Sequence, residues 1–203
     1  MIKLVIFDVG GVLLRYTEEE YARYLHRRTG VDYKKFCKVM MPLLEMTELG
    51  RLDVDSMVNI LTDRFGLTRE KLGWVDAFPK LAKVNWNMAR LVNRLAAKKG
   101  LTVVLLSDVN KSRSMATRKL VLDRLRVKRV FNSFEMKMRK QDPNPAKRPY
   151  RYVLRKMGVK PDETVFVDDR EINIIGARAV GINAIRFRSY AQVVRDLKKY
   201  GVA

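Results

Sequence analysis

Short apolar segments alternate with longer amphipathic ones through the second half of the chain, and no other sequence feature constrains the fold as strongly. Apolar runs rich in β-branched residues occupy 101–106, 129–131, 164–167 and 182–187, and helical patterns separate them. A similar run lies at 2–7. Strands that are buried on both faces form continuous apolar runs of this kind. The pattern therefore predicts an α/β fold, a Rossmann-like parallel sheet with helices on both faces.

A helical stretch interrupts the predicted sheet after its first strand. Helical periodicity runs through residues 16–80. Glycines and prolines are expected to break this stretch into separate helices: Gly30, Pro42, Gly50, Gly66 and Pro79. We interpret residues 16–80 as a small helical cap domain that is inserted into a core domain formed by 1–15 and 81–203.

Polar residues follow the predicted strands. In chain order they are Asp8, Gly10, Gly11, Ser107, Asp108, Lys140, Asp168 and Asp169. Ligands of parallel α/β sheets bind at the carboxyl ends of the strands, so we expect these residues to lie near one another. Any one of them alone is typical of a helix cap, a turn or a solvated surface charge. Their joint occurrence at strand ends favours a functional site.

This set of residues suits phosphoryl transfer. A carboxylate at a strand end, such as Asp8, can attack phosphorus and form an aspartyl-phosphate. Magnesium prefers carboxylate, carbonyl and water oxygens, which Asp8, Asp168, Asp169 and a backbone carbonyl near Gly10 could supply. Ser107 and a lysine could hold the phosphoryl oxygens. Glycines after Asp8 let backbone N–H groups approach the phosphate closely.

Four segments resemble the ordered motifs of the haloacid dehalogenase superfamily. They read VIFDVGGVL from residue 5, VVLLSD from residue 103, MRK from residue 138 and TVFVDDREINIIGARAVGINAI from residue 164. The resemblance extends from residue 1 to about residue 188. It is greatest for the small sugar-phosphate phosphatases whose first motif reads D-x-G-x-V. It implies a Rossmann-like core with an inserted cap.

The resemblance also implies a role for each motif residue. Asp8 would be the nucleophile, and Ser107 and Lys140 would hold the phosphoryl group. Glu48, in a turn of the cap, would face the leaving group. The metal ligands implied are Asp8, the Gly10 carbonyl and Asp168, with Asp169 completing or orienting the site. The residues implied to contact substrate are Gly10, Gly11, Asp108 and Glu48.

The chain departs from the superfamily pattern at the proton donor. Most phosphatases of the superfamily carry a second Asp two residues after the nucleophile, and this chain has Gly10 there. The residue after Ser107 is usually Asn, and here it is Asp108. Asp108 could serve as the missing acid if burial raises its pKa. A water molecule or a substrate group could also supply the proton.

The identity of the phosphate-binding lysine stays open at this point. Counting forward from the third strand selects Lys140, but the Pro that normally follows this lysine is not adjacent. Counting back from Asp168 without a gap places Asn144 at the position. Lys137 and Lys147 are further candidates.

The charge distribution supports an alternative function. The chain has 42 Lys and Arg against 22 Asp and Glu, a net charge of +20, of which +19 falls in residues 81–203. Such a surface attracts nucleic acid or another polyanion, so a catalytically weak polyanion-binding protein is one alternative. A solvated basic surface without a dedicated partner is the simpler interpretation of the same charge.

A metal-free 2-haloacid dehalogenase is a further alternative. The pair Asp168–Asp169 favours a bound cation instead, and no aromatic residue stands two places after Asp8. The single cysteine, Cys37, and the single histidine, His26, exclude a disulfide framework and a site built from several histidines. No apolar run approaches the roughly 20 residues of a membrane span, so no membrane partner and a cytoplasmic location are expected.

Together these features favour a magnesium-dependent phosphatase. We expect its substrate to be a small phosphorylated metabolite, hydrolysed through an aspartyl-phosphate on Asp8. The sequence predicts no oligomeric state.

Overall fold

A computed structural model describes residues 1–16, 18–141 and 148–202. Five of its strands form a parallel sheet in the order β5-β4-β1-β6-β7, and the remaining two pair with each other. The strands are β1 (Leu4–Phe7), β2 (Leu14–Arg15), β3 (Lys83–Val84), β4 (Thr102–Ser107), β5 (Arg129–Asn132), β6 (Thr164–Asp168) and β7 (Asn183–Arg186).

Eleven α-helices lie in the described part of the chain. Before the second strand of the main sheet they are α1 (Glu18–Thr29), α2 (Tyr33–Glu48), α3 (Val54–Phe65), α4 (Arg69–Leu72), α5 (Trp74–Leu81) and α6 (Trp86–Ala96). After it they are α7 (Lys111–Leu120), α8 (Ser133–Met136), α9 (Arg148–Met157), α10 (Glu171–Arg178) and α11 (Tyr190–Lys199). None of the described helices is long and apolar enough to cross a membrane.

Alternate residues along the strands of the five-stranded sheet enter two separate apolar cores. Val5 and Phe7 of β1 pack in the cluster that includes residues of α6 and α11. Leu4 and Ile6 of the same strand pack in the other cluster, which includes residues of α9 and α10. This follows from the two-residue period of a strand, since successive side chains point to opposite faces. The predicted α/β fold, a parallel sheet with helices on both faces, is confirmed.

Helices α1–α5, called the helical insert below, lie between β2 and β3. They have an apolar core of their own, in which Trp74 packs edge-on against Tyr21 at 5.3 Å between ring centroids. The chain leaves the sheet along β2 and returns along β3, and these two strands pair antiparallel. The division into a cap at 16–80 and a core at 1–15 and 81–203 stays a prediction.

One arginine of the core lies among aromatic rings on the side of the insert. The Arg113 guanidinium of α7 is 5.3 Å from the ring centroid of Trp74, 5.5 Å from that of Phe78 and 5.9 Å from that of Tyr16. A cation within about 6 Å of an aromatic face is attracted by the ring quadrupole. Arg113 therefore ties α7 to the insert.

Two prolines expected to end helices lie inside them. Pro42 is within α2 and Pro79 is within α5, so both predicted breaks are wrong. A proline removes one backbone hydrogen bond from the residue four positions earlier. Both prolines and Lys38, whose carbonyl loses its partner to Pro42, are exposed, so water can replace the missing donor.

The helical pattern that follows the apolar run at 101–106 predicts a helix over 111–125, and this prediction is too long. α7 ends at Leu120, and Leu122–Arg124 forms a separate 3₁₀ turn. Val121 between them has φ −145° and is fully buried in the core. Valine is β-branched and has only a modest helix propensity. The helix ends here because the backbone of Val121 leaves the helical region while its side chain packs in the core.

We expect Leu91→Ala in α6 to lower the free energy of unfolding by about 2–5 kcal/mol, because it leaves a cavity in a fully buried position. Arg94→Ala, on the exposed face of the same helix, is the matched control and should change it by about 0.5 kcal/mol or less. Urea denaturation followed by circular dichroism measures both. Equal losses in the two variants would contradict the described packing of α6.

Candidate active site

Three strands bring polar residues to one edge of the main sheet. β1 lies between β4 and β6 and is parallel to both, with Phe7 opposite Leu105 and Val167. Asp8, which directly follows β1, therefore lies level with Asp168 at the end of β6, and its N–H donates to the Val167 carbonyl at 2.9 Å. Both aspartates are buried, as is Ser107 at the end of β4.

A buried lysine joins the two aspartates. The Lys140 ammonium lies 2.7 Å from Asp8 Oδ1 and 2.8 Å from Asp168 Oδ2, and its side chain is only 2% exposed. The backbone N–H of Lys140 donates to Asp108 Oδ1 at 3.0 Å, which fixes the loop that carries the lysine. The two contacts of the Lys140 ammonium, at 2.7 and 2.8 Å, are charge-assisted hydrogen bonds, which are among the strongest in proteins.

Of the other candidates for the phosphate-binding position, Lys137 is the one that the structure describes. Lys137 is exposed and has a left-handed backbone conformation, φ 55°, at the end of α8. Lys147 and Asn144 lie outside the described residues. Among the described lysines it is Lys140 that reaches the carboxylates.

One ammonium is shared by two buried carboxylates, so negative charge is left over. Burial raises the pKa of Asp8 well above its ordinary value, and the charge of Asp168 adds to this, although Lys140 opposes it. Burial alone would lower the pKa of Lys140, but the carboxylates of Asp168 and Asp8 outweigh it and raise that pKa. The lysine therefore stays charged, and Asp8 is the group that lacks a full counter-charge.

Asp168 is also held by donors other than Lys140. The Asn173 side-chain amide donates to both of its oxygens, at 3.0 and 2.9 Å, and the N–H of Arg170 donates to Oδ1 at 2.8 Å. These donors orient the carboxylate toward Lys140. Sequence reasoning missed Asn173, although it lies within the fourth motif, five residues after Asp168.

A third carboxylate completes an acidic cluster. Asp8, Asp168 and Asp169 each offer one oxygen, and these oxygens lie within 4.8 Å of one another. Burial and the neighbouring Asp168 raise the pKa of Asp169. Magnesium binds oxygens at about 2.1 Å in an octahedral arrangement, so its ligands lie within about 4.2 Å of one another. The donor set and the unbalanced charge suit a small hard cation, and carboxylate oxygens up to 4.8 Å apart would have to move together to about 4.2 Å to bind magnesium.

The two glycines after Asp8 differ in their surroundings. Gly11 has φ +74°, and a Cβ there would fall 2.1 Å from Asp169 Oδ2, so only glycine lets that carboxylate approach the loop. A Cβ on Gly10, by contrast, would meet nothing within 4 Å. Gly10 also has no positive φ, so a side chain could be accommodated at this position.

The helical insert contacts the loop that carries Lys140. The Arg139 guanidinium pairs with Glu45 at 2.9 Å and with Glu48 at 3.1 Å, both on α2. Burial raises the pKa of Glu48, and Arg139 opposes that shift. The turn after α2 also lies against α8, because a Cβ on Gly50 would fall 2.5 Å from the Phe134 carbonyl. The sequence analysis selected Glu48 but missed Arg139. Arg139 lies in the third motif, from which only the next residue, Lys140, was selected.

Asp108 lies beside this group. It accepts the Lys140 N–H, and burial raises its pKa, with Lys140 opposing. The structure thus places Asp8, Asp108, Lys140, Asp168 and Asp169 around one region.

The site combines a buried strand-end carboxylate with an adjacent lysine. A sequence model of the haloacid dehalogenase-like hydrolase family matches residues 2–181, and the chain belongs to this family. No curated protein sequence matches the chain.

Several solved structures share the fold. A haloacid dehalogenase family enzyme from Bacteroides thetaiotaomicron is 22% identical with a TM-score of 0.80, covering 92% of this chain and 94% of that one. The same enzyme has been solved in complex with magnesium and inorganic phosphate, with 21% identity, a TM-score of 0.78 and coverage of 93% and 95%. An L-2-haloacid dehalogenase from Xanthobacter autotrophicus, with chloropropionic acid covalently bound, is 20% identical with a TM-score of 0.62, covering 100% and 85%.

We expect Asp8→Asn to be more stable than the wild type in metal-free buffer at neutral pH. Because the pKa of Asp8 is raised on folding, its contribution to stability is complete below about pH 3.9 and is lost as the pH rises through the folded pKa. The advantage of the variant should therefore grow with pH. Thermal unfolding detects it, since about 1 kcal/mol moves the Tm by about 2–4 °C in a chain of this size.

Asp123→Asn is the matched control for this experiment. Asp123 is 58% exposed and 3.6 Å from Arg118, so its replacement should shift the Tm little at any pH. A less stable Asp8→Asn in the absence of metal would mean that Lys140 alone balances both carboxylates.

Proposed function

We propose that the chain is a magnesium-dependent phosphatase that hydrolyses a small phosphomonoester through an aspartyl-phosphate on Asp8. The observation that carries the proposal is the buried Lys140 ammonium between Asp8 and Asp168, with Asp169 beside them. The enzyme of similar fold crystallised with magnesium and inorganic phosphate supports it. We further propose that the substrate belongs to the sugar phosphates, as the D-x-G first motif suggests.

The metal would be held by Asp8, Asp168, Asp169 and the Gly10 carbonyl. When bound, magnesium supplies positive charge that offsets the repulsion between these carboxylates and the phosphoryl oxygens. The unbalanced charge around Asp8 gives the reason for such a cation, and the donor set consists of the hard oxygens it prefers.

The first chemical step forms a bond between an Asp8 oxygen and phosphorus. The bond between phosphorus and the leaving-group oxygen breaks, and that oxygen takes up a proton. Lys140 and Ser107 hold the phosphoryl oxygens, and the N–H groups after Asp8 approach them at Gly10 and Gly11. Water then hydrolyses the aspartyl-phosphate, which releases inorganic phosphate and restores Asp8.

The proton for the leaving group would come from Asp108. Burial raises the pKa of its carboxyl, although Lys140 opposes the shift, and a raised pKa favours the protonated form that a general acid needs. Gly10 offers no acid at the position where most phosphatases of this family carry one. Glu48, held by Arg139 at the edge of the insert, would face the leaving group and select it.

We expect hydrolysis of a phosphomonoester panel to require magnesium and to fall at least about 10³-fold in Asp8→Asn, since the covalent route is lost. Ser107→Ala should lower kcat by about 10²-fold, because one phosphoryl contact is removed. Asp123→Asn is again the control and should retain full activity.

The same assay distinguishes a dehalogenase, which the similar fold of the Xanthobacter enzyme makes the second candidate. Chloride release from 2-chloropropionate without magnesium, and no phosphate release from any ester, would refute the phosphatase. Phosphate release that persists in Asp8→Asn would refute the role of Asp8 as the nucleophile.

The role of Asp108 is tested by a rescue. Asp108→Asn should lower kcat for an alkyl phosphate by about 10²-fold, and much less for a nitrophenyl phosphate, whose leaving group needs no proton. Adding Gly10→Asp should restore the alkyl phosphate rate, because the space at Gly10 accepts a side chain. Gly10→Asn fills the same space without an acid and should not restore it. An unchanged leaving-group dependence in Asp108→Asn would remove Asp108 from the mechanism.

A further inference from the structure

A basic groove lies along the edge of the main sheet, between β7 and α11. Its volume is about 350 Å³. Its cationic and aromatic lining residues are Arg178, Arg186, Arg188, Arg195, Lys199 and Tyr200. All six are exposed, so their side chains are accessible to a large ligand.

The positive charge of the groove is only partly balanced. Asp196 pairs with Lys199 at 2.9 Å and lies 3.9 Å from Arg195, and Glu171 pairs with Arg186 at 3.1 Å. No ion pair involves Arg188 in the described part of the chain. Five cations thus face two carboxylates, and the surplus would attract an anion with several charges.

One carbonyl of the neighbouring edge strand is already occupied by an arginine. β7 is an edge strand, and such a strand usually offers free carbonyls to a partner. The Arg178 guanidinium already donates to the Ala184 carbonyl at 3.0 Å. At least this carbonyl is occupied, and the groove presents charged side chains beside it, which favours a partner recognised by its charge.

An aromatic ring adds a second kind of contact. Tyr200 follows α11, borders the groove and is 37% exposed. Proteins that bind single-stranded nucleic acid combine a positively charged groove, which follows the phosphodiester backbone, with aromatic rings on which bases stack. The groove between β7 and α11 has both features.

We propose that this groove binds single-stranded nucleic acid. Arg188 and Arg195 contact phosphates, and Tyr200 stacks on a base. The proposal does not depend on the phosphatase activity, because none of these side chains belongs to the site around Asp8. Arg186 is excluded from the test, since its Nε donates to the Asp169 carbonyl at 3.3 Å and links the groove to the acidic site.

The test compares two double variants with equal net charge. Arg188→Gln/Arg195→Gln removes two cations from the groove, and Arg126→Gln/Lys128→Gln removes two exposed cations near β5, at the opposite edge of the sheet. Fluorescence anisotropy with a labelled single-stranded oligonucleotide of mixed sequence gives Kd over a range of salt concentrations. Thermal unfolding verifies that both variants are folded.

We expect the groove variant to bind at least about tenfold more weakly than the wild type at low salt, and the β5 variant to bind as the wild type does. The slope of log K against log salt should decrease in magnitude by about 1.4 in the groove variant, because each lost phosphate contact on a single strand accounts for about 0.7. Tyr200→Leu should weaken binding by about fivefold or more. Asp8→Asn should bind normally, whether or not the phosphatase proposal holds.

Three results would overturn the proposal. Equal weakening of both double variants would mean that binding reflects net charge alone. Absence of oligonucleotide binding by the wild type at low salt would refute the site outright. Binding to phosphatidylserine vesicles without binding to the oligonucleotide would assign the groove to a membrane surface instead.

Discussion

The buried ammonium of Lys140 is the interaction on which the site depends. Removing an ionised group from water costs several kcal/mol, and only close partners of opposite charge offset that cost. Asp8 and Asp168 supply those partners because β1 lies beside β6 in the centre of the sheet. The parallel register, the loop held by Asp108 and the orientation of Asp168 by Asn173 all serve to bring one cation between two anions.

Sequence reasoning located the part of the site that the strands determine. Asp8, Ser107 and Asp168 could be found because each ends a continuous apolar run, and parallel strands end at one edge. Lys140 was harder, because the segment after β5 has no periodicity from which a register can be counted. Competing positions such as Lys137 were therefore excluded only by three-dimensional placement.

Contacts between the insert and the core could not be predicted from the sequence. The pairing of Arg139 with Glu48, and the position of Arg113 over the Trp74 ring, depend on how two separately packed units meet. No local pattern encodes that arrangement. The error at Pro42 has a related origin, since a proline inside a helix is tolerated where surrounding packing holds the helix and water reaches the freed carbonyl.

The chain enters the helical insert along β2 and leaves it along β3, and these two strands pair with each other. Arg15 lies opposite Lys83, so a tight turn between them would close a hairpin and leave the five-stranded sheet whole. The helical insert is therefore separable, as a stretch of chain, from the parallel sheet that carries Asp8 and Asp168. Evolution can lengthen, shorten or exchange the former as a module while the latter stays under its own selection.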